Sequence, residues 1–426
     1  MLKVELHTNE TPELFARFKA VIDERYWLKR IASIKADIRG HPYLAEYLAD
    51  ENAIAFAFAQ CSNLLDRYGR IPMQEAENRD LYPAIGLAAQ VLSIMDHSSS
   101  KEAEKLVHRI RGAFKNPDDM RAIQLEIMAA THFVLRGNSI SWPEMEGTGT
   151  FDLLVKDLGT NGLEIECKSI SGDKGRKMHR REALDFHHLV KPRFQTWSRS
   201  LQTGISVVLT LPDRLPVLYK QKQLLAKSVI SSVLASQSIV LTDGSDIRVS
   251  EFDMEALGVI EAENGPKISR EAIDKITATN NRESMILGSK KGAIIFVLQS
   301  RRDDTMMEYV FDALSESAKN QVSKSRPALF LVGLHGIGAE GLLSIATQDS
   351  ENKQPPTALR IAASNFLAKH NRDHVIGVGF LSKGSLISEL NGVVKSGGTA
   401  YIFPKKESKF WHQDFSGLFS EREMGE

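Results

Sequence analysis

The stretch "FDLLVKDLGTNGLEIECKSIS", residues 151–171, places charged side chains inside two runs that otherwise read as buried strands. The turn between Gly159 and Gly162 predicts that these runs pair as an antiparallel hairpin. Because strand side chains alternate between the two faces, Glu166 and Lys168 share one face, and Asp152 can lie beside them. A buried charge is costly unless it is paired. The three residues therefore need partners, a metal ion or a catalytic role.

The composition is that of an ordinary globular protein of more than one domain. The chain has 426 residues, of which 42% are hydrophobic, and this length predicts two or three domains. Lys and Arg together number 54, as do Asp and Glu. This balance excludes a polycation that coats nucleic acid throughout its length. A local basic groove remains compatible with it.

The cysteine content and the hydropathy pattern indicate a cytoplasmic protein. Only Cys61 and Cys167 occur, which excludes a disulfide framework and a cysteine-rich zinc site. The first 21 residues lack the apolar core of a signal peptide. No window approaches the roughly 20 apolar residues of a membrane-spanning helix. We therefore expect no membrane association.

The periodicity of apolar residues predicts three consecutive regions of mixed α/β character. Residues 1–115 space their apolar side chains as amphipathic helices do, which predicts a helical N-terminal domain. Residues 116–236 read as a core in the order helix, three strands, basic helix, strand. Residues 237–426 contain further strands and helices. This C-terminal α/β region either extends the core sheet or forms a separate domain.

The charged residues of the hairpin have the chemistry of metal-assisted phosphodiester hydrolysis. Carboxylates such as Asp152 and Glu166 are the oxygen ligands that Mg²⁺ prefers, and the backbone carbonyl of Cys167 is a further candidate ligand. A bound cation lowers the pKa of water and shields charge on the phosphate. Lys168 can position or deprotonate the attacking water, or stabilise the transition state.

Asp152 and the Glu166-Cys167-Lys168 triplet resemble the motif of the PD-(D/E)xK, or restriction-endonuclease-like, nuclease superfamily. The likeness covers roughly residues 118–236 and differs at Phe151, where the motif name has proline. It implies a mixed central sheet flanked by helices. That superfamily often carries a glutamate on the helix before the first strand, and Glu126 matches it.

The resemblance also implies a function. We expect a Mg²⁺- or Mn²⁺-dependent endonuclease, acting on DNA as an effector of restriction or anti-phage defence. A homo-oligomer and other protein subunits of a defence complex are the expected partners. The expected catalytic residues are Glu126, Asp152, Glu166 and Lys168, and the expected metal ligands are Asp152, Glu166, the Cys167 carbonyl and Glu126.

A basic segment directly follows the hairpin. Residues 174–193 hold seven Lys or Arg against two acidic residues, a net charge of +5 in a chain that is neutral as a whole. These side chains could grip a phosphate backbone, although a solvated helix face would look the same. The residues predicted to bind nucleic acid are Lys174, Arg176, Lys177, Arg180 and Arg181.

Three alternatives remain open from the sequence. Glu166 and Lys168 could form an ordinary ion pair on an exposed sheet face. The protein could also be a catalytically silent nucleic-acid-binding or interaction protein on a nuclease-like fold. Gly336, Gly338 and Gly341 outline a dinucleotide-binding turn, but the loop at 349–357 stands where the second strand should follow. We favour a plain strand-to-helix turn there.

Overall fold

A computed structural model describes residues 2–3, 6–72, 81–258, 260–262, 265–279, 282–288, 291–351, 353–383, 386–388, 394–396 and 400–419. The chain divides into two compact units. Unit 1 comprises residues 1–35, 49–174 and 307–426. Unit 2 comprises residues 36–48 and 175–306. Unit 1 is thus built from three separate segments of the chain.

The first part of the chain is helical and ends in the predicted hairpin. Its last helices are capped as the sequence suggests: Ser99 and Glu102 form a reciprocal capping box, and the Asn116 side chain accepts from the backbone of Asp118. The elements are α1 (Thr11–Ile22), α2 (Arg25–Gly40), α3 (Ala45–Glu51), α4 (Ala53–Tyr68), α5 (Tyr82–Asp96), α6 (Ser100–Ala113), α7 (Pro117–Leu135), β1 (Ile140–Ser141), α8 (Pro143–Glu146), β2 (Leu153–Val155) and β3 (Leu163–Ile170).

The second part of the chain forms the bulk of unit 2. Its elements are α9 (Arg180–Ser198), β4 (Gly204–Leu211), α10 (Tyr219–Leu234), β5 (Ile239–Val240), β6 (Asp246–Phe252), β7 (Ile260–Ala262), β8 (Gly265–Lys267), α11 (Arg270–Thr277), β9 (Arg282–Gly288) and β10 (Ala293–Ser300).

The last part of the chain returns to unit 1. Its elements are α12 (Met306–Asn320), β11 (Ala328–Gly338), α13 (Ala339–Ser350), α14 (Ala358–Leu367), β12 (Val375–Lys383), β13 (Leu386–Ser388), β14 (Val394–Ser396) and β15 (Ala400–Pro404). β11 runs through Gly336 and Gly338, and α13 begins at the next residue.

Unit 1 is organised around a six-stranded mixed sheet in the order β1-β2-β3-β11-β12-β15. β3, β11 and β12 run parallel, and the other neighbouring pairs are antiparallel. Leu329, Leu331 and Ile376 of these strands belong to the same apolar core as Phe15 and Phe58 of the N-terminal helices. The helices therefore bury their apolar faces together with one face of this sheet.

Unit 2 has a five-stranded mixed sheet of its own, in the order β5-β6-β4-β10-β9. β4 and β10 pair in parallel over their full length, and the other pairs are antiparallel. Phe186 and Phe194 of α9 pack on Phe296 of β10 with ring centroids 6.2 and 5.5 Å apart. The result is a separate α/β core.

The structure confirms mixed α/β character, with two mixed sheets flanked by helices, but its division differs from the three consecutive domains predicted. β4 does not join β3, because the strand paired with β3 is β11, from the C-terminal region. β4 and the first seven residues of β11 are both mainly apolar and mostly buried on both faces, so position in the chain alone suggested β4. Most helices of residues 1–115 share the core of unit 1, whereas residues 36–48 belong to unit 2. The first of the three predicted strands, expected over residues 138–146, is confined to β1, and residues 143–146 form α8 instead.

Within the described residues, no helix combines the length and apolar character needed to span a bilayer.

Candidate functional site

Asp152 lies where the predicted hairpin opens. β2 pairs with β3 from Val155 to Leu153, opposite Ile165, and stops there. β3 continues to Ile170 and is paired on its other side with β11. The Asp152 carboxylate takes the place of the missing strand, since its Oδ2 accepts a hydrogen bond of 2.7 Å from the backbone N–H of Cys167. This contact fixes a carboxylate at the open edge of β3.

Glu166 and Lys168 share a face of β3, as predicted. Lys168 Nζ lies 2.7 Å from Glu166 Oε1, yet Glu166 is only 1% exposed. This burial excludes an ordinary ion pair on an exposed sheet face. Glu166 Oε2 is buried and has no hydrogen-bond partner among the residues that the structure describes. An unsatisfied buried carboxylate oxygen is costly, which points to a ligand at this position.

Gln321 is a site residue that the sequence analysis missed. It follows α12, and its Oε1 accepts from Lys168 Nζ at 2.8 Å and from the Ser317 hydroxyl. The Thr150 hydroxyl donates to the Gln321 backbone carbonyl at 2.5 Å. Lys168 Nζ is therefore held by Gln321 as well as by Glu166. No motif spacing could have indicated it, because 153 positions separate the two residues.

Arg109 is the second residue that the sequence analysis missed. Its guanidinium donates to both carboxylate oxygens of Glu126, with Nη1 2.6 Å from Oε2. Glu126 is 5% exposed, as expected for an inward-facing charge on the apolar helix α7. The Arg109 side chain, on α6, is 42% exposed. The only signal in the sequence was the need of a buried Glu126 for a cation.

The three predicted carboxylates lie close enough to influence one another's ionisation. Burial, together with the neighbouring Glu126 and Glu166, raises the pKa of Asp152 to about 8, against the opposing effects of the Cys167 N–H and Lys168. Burial also raises the pKa of Glu166 to about 7, against the opposing effect of Lys168. The pKa of Glu126 is raised by burial, with Arg109 opposing. A cluster of this kind favours either bound protons or a bound cation.

The donors at the open edge fit a hard divalent cation. Asp152 and Glu166 supply carboxylate oxygens, including the buried, unpartnered Glu166 Oε2. Because the N–H and C=O of one strand residue point to the same side, the Cys167 carbonyl faces the same edge as its N–H. Over the described ranges, no three His, Cys, Asp or Glu side chains form a ready-made metal-binding group. The site thus offers two carboxylates and one carbonyl.

The residues predicted to bind nucleic acid differ in their burial and in their ion pairs. Arg176 forms ion pairs with Glu283 at 2.8 Å and Asp304 at 3.8 Å. Lys177 Nζ lies 3.4 Å from an oxygen of Asp213. Both side chains are mostly buried, so their charges are largely balanced within unit 2.

The remaining basic side chains are exposed. Lys174 belongs to unit 1 and lies over the Tyr309 ring, 5.6 Å from its centroid. Arg180 lies 5.9 Å from the centroid of the Tyr47 ring, and Arg181 beside it in sequence is exposed. These three residues remain candidates for contact with a phosphate backbone.

Comparison with protein-family models, with curated proteins and with solved structures finds no match to this chain.

Proposed function

We propose that the protein is a metal-dependent nuclease that hydrolyses phosphodiester bonds, with DNA as its substrate. The observation that carries the proposal is the convergence of Asp152, Glu166 and Lys168 at the open edge of β3, with Glu166 Oε2 buried and unpartnered. The PD-(D/E)xK motif that these residues resemble belongs to a mixed sheet flanked by helices, and unit 1 has that architecture. A role in restriction or anti-phage defence rests on the resemblance alone.

In this proposal the cation is held by Asp152, Glu166 and the carbonyl of Cys167. When bound, it supplies a water of lowered pKa and shields the charge of the scissile phosphate. The hydrogen bond from the Cys167 N–H keeps the Asp152 carboxylate at the edge. Burial of Glu166 excludes bulk water from one side of the site.

Lys168 is positioned to donate hydrogen bonds. Its ammonium has three N–H donors, and two are directed at Glu166 Oε1 and Gln321 Oε1. The third can reach the attacking water or a phosphate oxygen. Since both observed partners are acceptors, the arrangement supports orientation of water and stabilisation of the transition state over removal of a proton.

The proposal is tested by cleavage of supercoiled plasmid, linear duplex and single-stranded DNA, with an RNA of matched sequence, in Mg²⁺ and in EDTA. Wild-type protein is compared with Asp152→Ala and Lys168→Ala. Removal of an essential group of this type costs about 10²-fold or more in rate. Lys156→Ala and Glu104→Gln serve as matched controls, because both side chains are exposed and outside the site.

Metal-dependent cleavage that is lost in both site variants and kept in both controls would support the proposal. Cleavage that survives Asp152→Ala and Lys168→Ala would refute the assignment of the site. Binding of nucleic acid by the wild type in Mg²⁺, without cleavage, would favour the catalytically silent alternative.

A further inference from the structure

Arg109 binds the carboxylate of Glu126, which would otherwise be the next metal ligand. Its guanidinium meets both oxygens of Glu126 in a bidentate contact, a strong and geometrically specific arrangement. Asp152 and Glu144 also interact electrostatically with Arg109. A positive group from α6 thus stands among the carboxylates on the Glu126 side of the site.

The charges around the site balance with one divalent cation. Four carboxylates and two basic groups interact there: Glu126, Glu144, Asp152 and Glu166 against Arg109 and Lys168. Four negative and two positive charges leave a net charge of −2. One divalent cation neutralises this charge, whereas two would leave an excess of +2 beside the buried Glu126 and Glu166, which is unfavourable.

The oxygen ligands available at the site also indicate a single cation. Asp152, the unpartnered Glu166 Oε2 and the Cys167 carbonyl lie together at the edge of β3. Glu126 has both of its oxygens engaged by Arg109. A second cation bound between Glu126 and Asp152 would have to displace the guanidinium.

We propose that the site binds a single divalent cation, and that Arg109 is a positioning residue that takes the place of a second one by engaging Glu126. This inference rests on the proposed function, because it concerns the same metal site. It reassigns Glu126 from metal ligand to anchor of Arg109. The Arg109 side chain is 42% exposed, so its remaining N–H donors could reach a phosphate oxygen of the substrate.

The test counts Mn²⁺ ions bound to the full-length protein by electron paramagnetic resonance, which needs no substrate and no activity. Sites are counted as the difference from Asp152→Asn measured alongside. The expected count is one for wild type, two for Arg109→Gln, and one for the double variant Arg109→Gln with Glu126→Gln. Arg193→Gln, an exposed arginine on α9, is the control and should bind one.

Arg109→Gln leaves Glu126 buried without its cation, so this variant is also followed by thermal unfolding with and without Mn²⁺. A second bound ion should restore stability in Arg109→Gln far more than Mn²⁺ stabilises the wild type. Absence of such rescue, a wild-type count of two, or a count of one in folded Arg109→Gln would each overturn the inference alone. A wild-type count of zero would overturn both the inference and the metal site of the proposed function.

Discussion

At the scale of single residues, the main feature of the molecule is a set of carboxylates buried close to one another. Asp152 and Glu166 hold their protons to a higher pH in the folded chain, with pKa values of about 8 and about 7. In an unfolded chain, Asp and Glu side chains have pKa values of about 4. Between these limits the folded state binds more protons than the unfolded state. Its free energy of unfolding therefore falls as the pH rises through this range.

We accordingly expect the metal-free protein to lose stability between about pH 5 and about pH 8 because Asp152 and Glu166 ionise. The double variant Asp152→Asn with Glu166→Gln should lose less over the same range, and Mg²⁺ should stabilise the wild type most at the higher pH. Thermal unfolding followed by circular dichroism, with EDTA or Mg²⁺, measures all three. Equal pH dependence in the wild type and the variant would contradict the expectation.

The residues of the site were predictable to the extent that they are close in sequence. Asp152, Glu166 and Lys168 lie on one hairpin, whose alternation and turn are local properties. Arg109 lies on α6, the helix before that of Glu126, and Gln321 follows α12, 153 positions after Lys168, so only the tertiary fold brings them to Glu126 and Lys168. A charge in a buried segment predicts that a partner is present, but the sequence does not identify which residue that partner is.

At the scale of elements, one backbone position joins the two ends of the 175–306 segment. Gly175 has φ +74°, and a Cβ on it would lie 2.6 Å from the Met306 Cα. Its carbonyl accepts from the Thr305 N–H at 2.7 Å. The two chain passages thus touch backbone to backbone, which only glycine permits here.

Gly175→Ala should destabilise the protein by at least about 1–2 kcal/mol from the left-handed backbone alone, with the clash against Met306 adding to this. Gly112→Ala is the matched control, since Gly112 is in helix α6 with nothing within 4 Å of its added Cβ. Alanine there should be neutral or stabilise by about 0.5–1 kcal/mol. Urea unfolding of both variants measures these changes in the free energy of unfolding. Equal stability of Gly175→Ala and wild type would show that the close contact is not needed for stability.

The strands themselves were more predictable from the sequence than the order in which they pair in the sheets. The further strands expected in residues 237–426 include β10, over the run "AIIFVLQS", and β15, over "TAYIFP", and the hairpin predicted β2 and β3. Which strand lies beside β3 depends on the loops and on the whole core. β4 and the first seven residues of β11 are both mainly apolar, so local pattern could not separate them.

At the scale of the whole molecule, unit 2 has a core made almost entirely by one continuous segment. Its main apolar cluster extends from Met178 to Leu298, and all five strands of its sheet lie between them or end at Ser300. A single contiguous core of this kind is what an independently folding domain requires.

We expect a fragment of residues 175–306 to fold alone, with cooperative urea unfolding and strand and helix signals in circular dichroism. The matched control is a fragment of residues 116–236. It separates β3 from β11 and β4 from β10, so we expect it to remain unfolded or to aggregate. A cooperative transition in 116–236, or none in 175–306, would contradict this division of the chain.

The interruption of the unit 1 sheet also has a consequence for protein synthesis. β3 ends at Ile170 and its partner β11 begins at Ala328, a delay of about 10 to 30 seconds at ordinary rates of translation. Gln321 is synthesised only shortly before β11. During this interval the ribosome carries a chain whose acidic residues are made but not assembled. The arrangement of Asp152, Glu166 and Lys168 at the edge of a paired β3 can therefore form only after β11 has been made.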